Sequence, residues 1–202
     1  MNSSSPVPPV TQYPRLAILA SGSGTNFEAV AQAINEQKLM AEIAVMITNN
    51  PQAKVIERAE GRGIPWILLD HRHFPEREML DQAIVEVCRS HAVDWIIMAG
   101  WMRRVTSVLI DAFPQKILNI HPSLLPSFPG IRAIEQALAY GVKITGCTVH
   151  FVTLEVDQGP IIAQAAVPVF ATDTPEILHQ RIQPEEHRIL VEAIQLCLSS
   201  RV

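Results

Sequence analysis

Two polar side chains stand at the end of an apolar run, where a sheet would present them to a ligand. Asn119 and His121 end the run that begins at Lys116, and residues two apart on a strand face the same side. Open α/β sheets bind ligands at the carboxyl ends of their strands. A third candidate, Asp157, stands in an apolar setting farther along the chain. An amide, an imidazole and a carboxylate in one crevice could support acyl-type transfer through a tetrahedral intermediate.

Each of these residues also has an ordinary interpretation. A histidine at a strand end is more often a satisfied polar residue than a catalyst, and Asp157 before Gln-Gly-Pro is typical of a turn. Asn119 beside His121, with a proline-rich exit, favours the catalytic interpretation. Pro122 pushes His121 toward extended backbone. A second proline four residues later suits a tight reversal, and we predict that the Leu125–Pro126 bond is cis.

A glycine-rich segment, Ser21–Asn26, joins the first predicted strand to the first predicted helix. Backbone N–H groups at a helix N-terminus bind anions, so the segment predicts a phosphate site. A dinucleotide site is disfavoured, because Phe27 replaces the third glycine and the second strand ends in Thr48-Asn-Asn. Gly-Lys-Ser/Thr is missing, which excludes a nucleoside-triphosphate loop. The alternative is a glycine turn in which Thr25 or Asn26 caps the helix.

Size and composition limit the class of protein. A chain of 202 residues with 48% apolar content fits one large domain. A net charge of −4 argues against a general nucleic-acid surface. No apolar run is long enough for a membrane span, and the first residues lack a signal-peptide pattern. Cys88, Cys147 and Cys197 are expected to be reduced thiols in a cytoplasmic protein. Cys147 alternates with Val149 on a strand and is expected to pack rather than react.

Strand and helix patterns alternate over the first part of the chain. Predicted strands cover 16–20, 42–48, 64–69, 95–98 and 116–120, and predicted helices cover 26–36, 51–61, 76–91 and a shorter segment before Phe113. Strands separated by helices imply right-handed crossovers and a mainly parallel sheet. After residue 130 come a helix at 133–140, β-rich runs at 143–152 and 160–169, and a helix at 174–198 that either continues through Pro184 or breaks there.

These patterns predict the α/β class. The expected fold is a single Rossmann-like domain with an open twisted sheet, mainly parallel in its N-terminal part. An antiparallel C-terminal strand pair extends the sheet edge, and a C-terminal helix closes the domain. Residues 1–14 form a polar, proline-rich tail that is predicted to be disordered, and residues 15–202 form the domain.

Six segments together resemble the phosphoribosylglycinamide formyltransferase family, folate-dependent enzymes of purine synthesis. They are SGSGTN at 21–26, AGWMR at 99–103, NIHPSLLP at 119–126, TGCTVHFV at 145–152, DQGP at 157–160 and Glu186-His187. The third segment recurs in other formyltetrahydrofolate enzymes, whereas all six in this order are a strong signal. The resemblance spans about 16–194. It implies formyl transfer from 10-formyltetrahydrofolate to the amine of phosphoribosylglycinamide, with no metal.

The resemblance also implies a role for each site residue. Asn119 and protonated His121 would stabilise negative charge on the formyl oxygen, and His121 would move protons toward the leaving folate nitrogen. Asp157 would pair with His121 and could position a water that removes the amine's proton. Implied contacts to phosphoribosylglycinamide are Gly24, Thr25, Asn26, Gln183, Pro184, Glu185 and Glu186. Implied folate contacts are Arg77, Met102, Arg103, Arg104, Val105, Asn119, Thr153, Leu154, Glu155, Val156 and Asp157.

Several positions keep alternatives open. Arg104 stands where the family often has an apolar residue. Either the pterin is recognised mainly through the backbone and the change is tolerable, or Arg104 alters the folate pocket, or it turns outward to meet the folate glutamate tail. Arg132 stands where a histidine is common. His150 either supports the site or packs in the core, and Glu186 could be part of a surface acidic pair. The spacing of His71-Arg-His73 suits a metal, but a surface loop is the stronger expectation.

Three other functions compete with this one. Formyltetrahydrofolate deformylases use water in place of the amine but usually carry an extra N-terminal domain, for which a short tail leaves no space. Transfer to methionyl-tRNA would need a basic face. A silent folate- or nucleotide-binding module would not need Asn119, His121 and Asp157. The expected partners are therefore small molecules, without nucleic acid or membrane, for a monomer or weak homodimer.

Overall fold

The computed structural model describes residues 13–199, so residues 1–12 of the predicted tail lie outside the described part. The strands are β1 (Arg15–Leu19), β2 (Glu42–Thr48), β3 (Trp66–Leu68), β4 (Trp95–Met98), β5 (Ile117–His121), β6 (Ile144–Phe151) and β7 (Ile161–Pro168). The α-helices are α1 (Thr25–Asn35), α2 (Val55–Gly61), α3 (Arg77–Ser90), α4 (Ser107–Ala112), α5 (Ala133–Tyr140) and α6 (Pro175–Ser199). A short 3-10 helix covers His71–His73.

All the strands belong to one sheet, in the order β3-β2-β1-β4-β5-β6-β7. The first five strands along this order pair in parallel. β6 runs antiparallel to β5, and β7 runs antiparallel to β6. The predicted fold class is confirmed, including the antiparallel pair at the sheet edge and the closing helix.

Apolar side chains cover both faces of the sheet, which is why the central strands are continuous apolar runs. On one face, Phe27 of α1 and Leu190 of α6 pack against buried residues of the sheet. On the other face, Ile84 of α3 and Leu109 of α4 do the same. The helices therefore cover the central strands on both faces, and the carboxyl ends of the parallel strands lie at one edge of the sheet.

Two predicted elements, α2 and β3, differ from the structure by more than one residue at one end, and the structure decides between the two alternatives for α6. α2 begins at Val55 rather than at Pro51, because the residues from Pro51 to Lys54 form a turn. β3 is shorter than predicted and lies at the edge of the sheet. α6 continues through Pro184 without a break. A proline inside a helix removes one backbone hydrogen bond, but buried α6 residues on both sides of it, among them Ile182, pack against the core.

Candidate active site

The catalytic candidates of β5 lie against the antiparallel strand β6. Asn119 pairs with His150, and His121 pairs with Thr148. Asn119, His121 and His150 line the same cavity. His121 is only 5% exposed, so its hydrogen-bond partners are set by the protein rather than by bulk water.

Both ring nitrogens of His121 face oxygen atoms. Nε2 lies 2.8 Å from the carbonyl oxygen of Phe128, and Nδ1 lies 3.4 Å from Oδ2 of Asp157. A neutral imidazole carries one N–H, whereas the imidazolium carries two. The arrangement therefore suits a protonated His121. Because the contact of Nε2 with Phe128 is the shorter one, the Nδ1 edge, which faces Asp157 at the longer distance, is the one that reacting atoms can approach.

Asp157 lies between two imidazoles. Its Oδ2 accepts a hydrogen bond of 2.7 Å from the Gly130 N–H, and its Oδ1 lies 3.5 Å from Nε2 of His150. Burial raises the pKa of this carboxyl, but His150, the Gly130 N–H and the charge of His121 outweigh burial and hold the pKa below its ordinary value. Asp157 is therefore an anion at neutral pH.

His150 connects Asn119 to this carboxylate. Its Nδ1 lies 2.8 Å from the carbonyl oxygen of Phe151 and so carries a hydrogen. Its Nε2 lies 3.1 Å from Nδ2 of Asn119 and 3.5 Å from Oδ1 of Asp157; without a hydrogen it accepts one amide hydrogen of Asn119, and with a hydrogen it donates to Asp157. The second amide hydrogen of Asn119 remains for a ligand. Of the two interpretations of His150, support of the site is therefore the one that the contacts favour.

The loops at this site have an uncommon backbone. Phe128, Arg132 and Asp157 all have positive φ, at 55°, 61° and 58°, although none is glycine. Such conformations cost about 1–3 kcal/mol each and cluster at functional sites. The Leu125–Pro126 bond is cis, as predicted. The segment between β5 and α5 thus takes a specific path that brings the Phe128 carbonyl and the Gly130 N–H to His121 and Asp157.

A cavity of about 440 Å³ opens over these groups. It brings together all but one of the residues that the resemblance assigns to folate, namely Met102, Arg103, Arg104, Val105, Asn119, Thr153, Leu154, Glu155, Val156 and Asp157. Arg77 is the exception, because it is exposed at the first position of α3 and does not line the cavity. Its folate contact remains a prediction. Arg132 also lines the cavity.

Two hydrogen-bonded contacts hold the segment 100–106, which forms one wall of the cavity. Ser21 donates its N–H to the Gly100 carbonyl and accepts from the Met102 N–H. At the other end of the wall, the buried Asp81 carboxylate accepts from the N–H and the hydroxyl of Thr106. Since Ser21 also begins the glycine-rich segment, the wall and that segment form one continuous structure.

The glycine-rich segment turns from β1 into α1 at Gly24. Gly24 has φ 73°, and a Cβ there would lie 2.5 Å from Cγ2 of Val55, so only glycine fits. Gly24 is also the N-cap, and no side chain of residues 13–199 caps α1. The alternative in which Thr25 or Asn26 caps this helix is therefore wrong. The uncapped N–H groups are suited to bind an anion.

Helix α6 meets this segment from the other side of the core. Gln183 donates a hydrogen bond of 3.2 Å to the Thr25 hydroxyl, and Glu186 is hydrogen-bonded to Asn26. Burial raises the pKa of Glu186 to about 7, and this side chain is only 5% exposed. Glu185 instead pairs with Arg188 at 2.6 Å on the solvent side. The surface interpretation therefore holds for Glu185 and is wrong for Glu186.

Other candidate chemistries find less support in the structure. Cys147 is fully buried, and burial raises its pKa to about 12, which leaves an unreactive thiol as predicted. Within residues 13–199, no three His, Cys, Asp or Glu side chains are grouped to hold a metal ion. His71 lies in the 3-10 helix, where its Nδ1 is 3.0 Å from the Asn49 carbonyl oxygen. No helix of the described part is long and apolar enough to span a membrane.

Comparison with known proteins agrees with this geometry. Residues 14–194 match the formyl transferase family. A phosphoribosylglycinamide formyltransferase of Bacillus subtilis is 45% identical over 174 residues, which cover 86% of this chain and 89% of that protein. Glycinamide ribonucleotide transformylase 1 from Symbiobacterium toebii superposes with a TM-score of 0.90 at 46% identity, covering 96% of this chain and 92% of that one. For phosphoribosylglycinamide formyltransferase from Bacillus halodurans, the TM-score is 0.89, the identity 44% and the coverage 93% and 97%. By sequence and by structure, this chain belongs to the formyl transferase family.

Proposed function

We propose that this protein transfers the formyl group of 10-formyltetrahydrofolate to the amine of 5'-phosphoribosylglycinamide. The products are 5'-phosphoribosyl-N-formylglycinamide and tetrahydrofolate, in purine biosynthesis. One observation carries the proposal: Asn119, His121 and an ionised Asp157 lie in a cavity whose wall is hydrogen-bonded to a glycine-rich, uncapped helix start. A donor and a phosphate-bearing acceptor could therefore meet at these three groups. Relatives that carry this enzyme name over most of their length support it.

The cavity suits the folate donor in size and lining. Its volume falls in the range of small-molecule sites, about 300–1,000 Å³. Met102 and Leu154 expose apolar surface at its mouth, which fits a flat aromatic ring. Arg104 and Arg132 line the same cavity, and their guanidinium groups suit the carboxylates of a glutamate tail.

When bound, the donor supplies the formyl carbon, and the side chains around it stabilise charge and move protons. The free N–H of Asn119 donates to the oxygen on which negative charge develops. The Nδ1 edge of His121 adds a second donor and can deliver a proton to the departing nitrogen. Asp157 orients His121 and can accept a proton through a water.

The acceptor is proposed to bind along the glycine-rich segment. The N–H groups of Gly24, Thr25 and Asn26 suit its phosphate. Glu186 and Oδ1 of Asn26 are buried hydrogen-bond acceptors that suit ribose hydroxyls, and this Oδ1 has no hydrogen-bond partner in the described part of the chain. Pro184 and Glu185 stand beside them on α6, between Gln183 and Glu186.

An assay of the purified protein with formylfolate, with and without phosphoribosylglycinamide, tests the function. We expect tetrahydrofolate to form only when the amine is present. Folate release without the amine would indicate a deformylase, and no release in either case would indicate a binding module. His121→Ala is the inactive control. We further propose that the protein is cytoplasmic and needs no nucleic acid or membrane. We also propose that it is a monomer or a weak homodimer, and sedimentation of the active protein tests this oligomeric state.

A further inference from the structure

Helix α2 holds the glycine-rich segment through two successive backbone carbonyls. The Val55 N–H donates to the Gly22 carbonyl at 3.1 Å. The Arg58 Nε–H donates to the next carbonyl, that of Ser23, at 2.8 Å. Gly24 then passes directly over the Val55 side chain. One helix therefore fixes the orientation of two neighbouring peptide planes.

The directions of these two carbonyl groups also determine the directions of two N–H groups. In a planar trans peptide, the C=O and the following N–H point in opposite directions. With the Gly22 and Ser23 carbonyls turned to α2, the N–H groups of Ser23 and Gly24 point away from it. Neither of these N–H groups bonds to another backbone group of residues 13–199. They extend the set of uncapped N–H groups at the start of α1.

Arg58 also brings charge to this place. Its side chain is 38% exposed, and its Nη1 is 3.8 Å from Oε2 of Glu28. The closer partner of Glu28 is Arg62, which contacts both of its carboxylate oxygens. The Arg58 charge is therefore only loosely compensated. The Arg58 charge also acts on His187 of α6, whose pKa is lowered by burial, by the Arg58 charge and by His179.

We propose that Arg58 is a positioning residue of the phosphate subsite, which fixes the Ser23–Gly24 peptide so that the Gly24 N–H faces the phosphate group of the substrate. The inference rests on the proposed function only for the identity of that substrate. Arg58 acts through the backbone of the segment, and its charge adds a long-range attraction.

The first test uses inorganic phosphate as the probe, titrated into the ¹⁵N-labelled protein. In the wild type, we expect the Ser23 and Gly24 amide resonances to shift. In Arg58→Gln, we expect the phosphate dissociation constant to rise about tenfold, as for the loss of one charge-assisted hydrogen bond. Arg58→Lys keeps the charge but lacks the planar Nε–H, so most of the loss should remain. Wild-type phosphate affinity in Arg58→Gln would overturn the proposal. Wild-type phosphate affinity in Arg58→Lys would mean that only the charge of Arg58 matters and would overturn its proposed role in positioning the backbone.

Arg62→Gln is the matched control, because Arg62 is the C-cap of the same helix and shares Glu28 but does not contact the segment. We expect unchanged phosphate affinity in this variant, and an equal loss would assign the effect to Glu28 and overturn the proposal.

Steady-state kinetics give a second readout. Arg58→Gln should raise the KM for phosphoribosylglycinamide about tenfold and leave kcat and the KM for the donor unchanged. If the wild type binds phosphate at Gly24 but transfers no formyl group, the proposed function fails while the role of Arg58 stands.

Discussion

Two regions of this molecule face the proposed substrates, and they are built in opposite ways. The first, here called the catalytic corner, consists of Asn119, His121, His150 and Asp157, whose side chains orient one another. The second is the glycine-rich segment 21–26, in which backbone N–H groups are proposed to face the ligand and side chains of neighbouring helices hold the segment. The catalytic corner depends on which side chains are present, whereas the glycine-rich segment depends on the path of its backbone.

The difference determines which substitutions each region tolerates. In and beside the catalytic corner, positive φ occurs at residues with side chains, namely Asp157 and the neighbouring Phe128, so the loops there are strained. In the glycine-rich segment, positive φ falls on Gly24, where it costs little. Removing a side chain should therefore damage chemistry in the first region, whereas adding one should damage binding in the second.

The largest effect is expected from removal of the proposed charge-stabilising groups. His121→Ala and Asn119→Ala should each lower turnover by about two to four powers of ten, the range for an acid–base group or an oxyanion donor. Both residues lie at a cavity, so the fold should survive. The measurement is kcat together with a thermal melting curve. A variant with native melting and near-native turnover would exclude that residue from the mechanism.

Asp157→Asn should have a smaller effect, because Asp157 acts through its neighbours. The amide keeps the shape and can still accept from the Gly130 N–H, but the negative charge beside His121 is lost. We expect turnover to fall by about one to two powers of ten, less than for loss of the acid–base group itself. Rates measured at saturating concentrations of both substrates check this. A loss as large as that of His121→Ala would mean that Asp157 contacts the reacting atoms directly.

Gly24→Ala tests the other side of the comparison. A methyl group there meets Val55 at 2.5 Å, in a backbone conformation that alanine disfavours. Strain of this kind costs about 1–3 kcal/mol, so we expect the KM for phosphoribosylglycinamide to rise about tenfold or more. The KM for the donor should hardly change. Gly22→Ala is the matched control, because a Cβ at Gly22 meets nothing within 4 Å, and its effect should be clearly smaller.

The sequence predicts the regular part of this molecule well, for a physical reason. Buried parallel strands are covered on both faces, so they form continuous apolar runs that can be seen locally. β2 and β4 have the predicted bounds. The start of α2 was missed because Pro51 is typical of a first helical position, and only the fold shows that the chain makes a turn there.

The site was predictable only as far as its patterns are local. Asn119 and His121 follow from the two-residue period of a strand. The contact of His150 with Asn119 depends on the register between β5 and β6, which neither segment specifies alone. The approach of Asp157 to His121 depends on positive φ at a residue that is not glycine, and no local signal marks it. The resemblance supplied Asp157 and Glu186, where residue patterns favoured an ordinary turn and a surface pair.

The smallest effect, and the most specific one, is expected at Glu186, whose side chain is hydrogen-bonded to Asn26 of the segment 21–26. Burial raises the pKa of Glu186 from 4.5 to about 7, so between these values the folded protein keeps a proton that the unfolded chain releases. Stability therefore falls as the pH rises through this window. Glu186→Gln stays neutral and can keep its contact with Asn26. We expect its melting temperature to exceed that of the wild type by several degrees at pH 8, and the difference to vanish near pH 4.5.

Melting curves of both proteins across this range are the measurement, with Glu185→Gln as the control because Glu185 pairs with Arg188 at the surface. The control should show no such rise toward pH 8. A gain for Glu186→Gln that does not depend on pH would mean that Glu186 is not protonated in the folded protein. The same variant should raise the KM for phosphoribosylglycinamide modestly, since an amide accepts hydrogen bonds from ribose hydroxyls less well than a carboxylate. Greater stability with weaker binding would show that Glu186 of α6 serves the ligand of the segment 21–26 at a cost in folding stability.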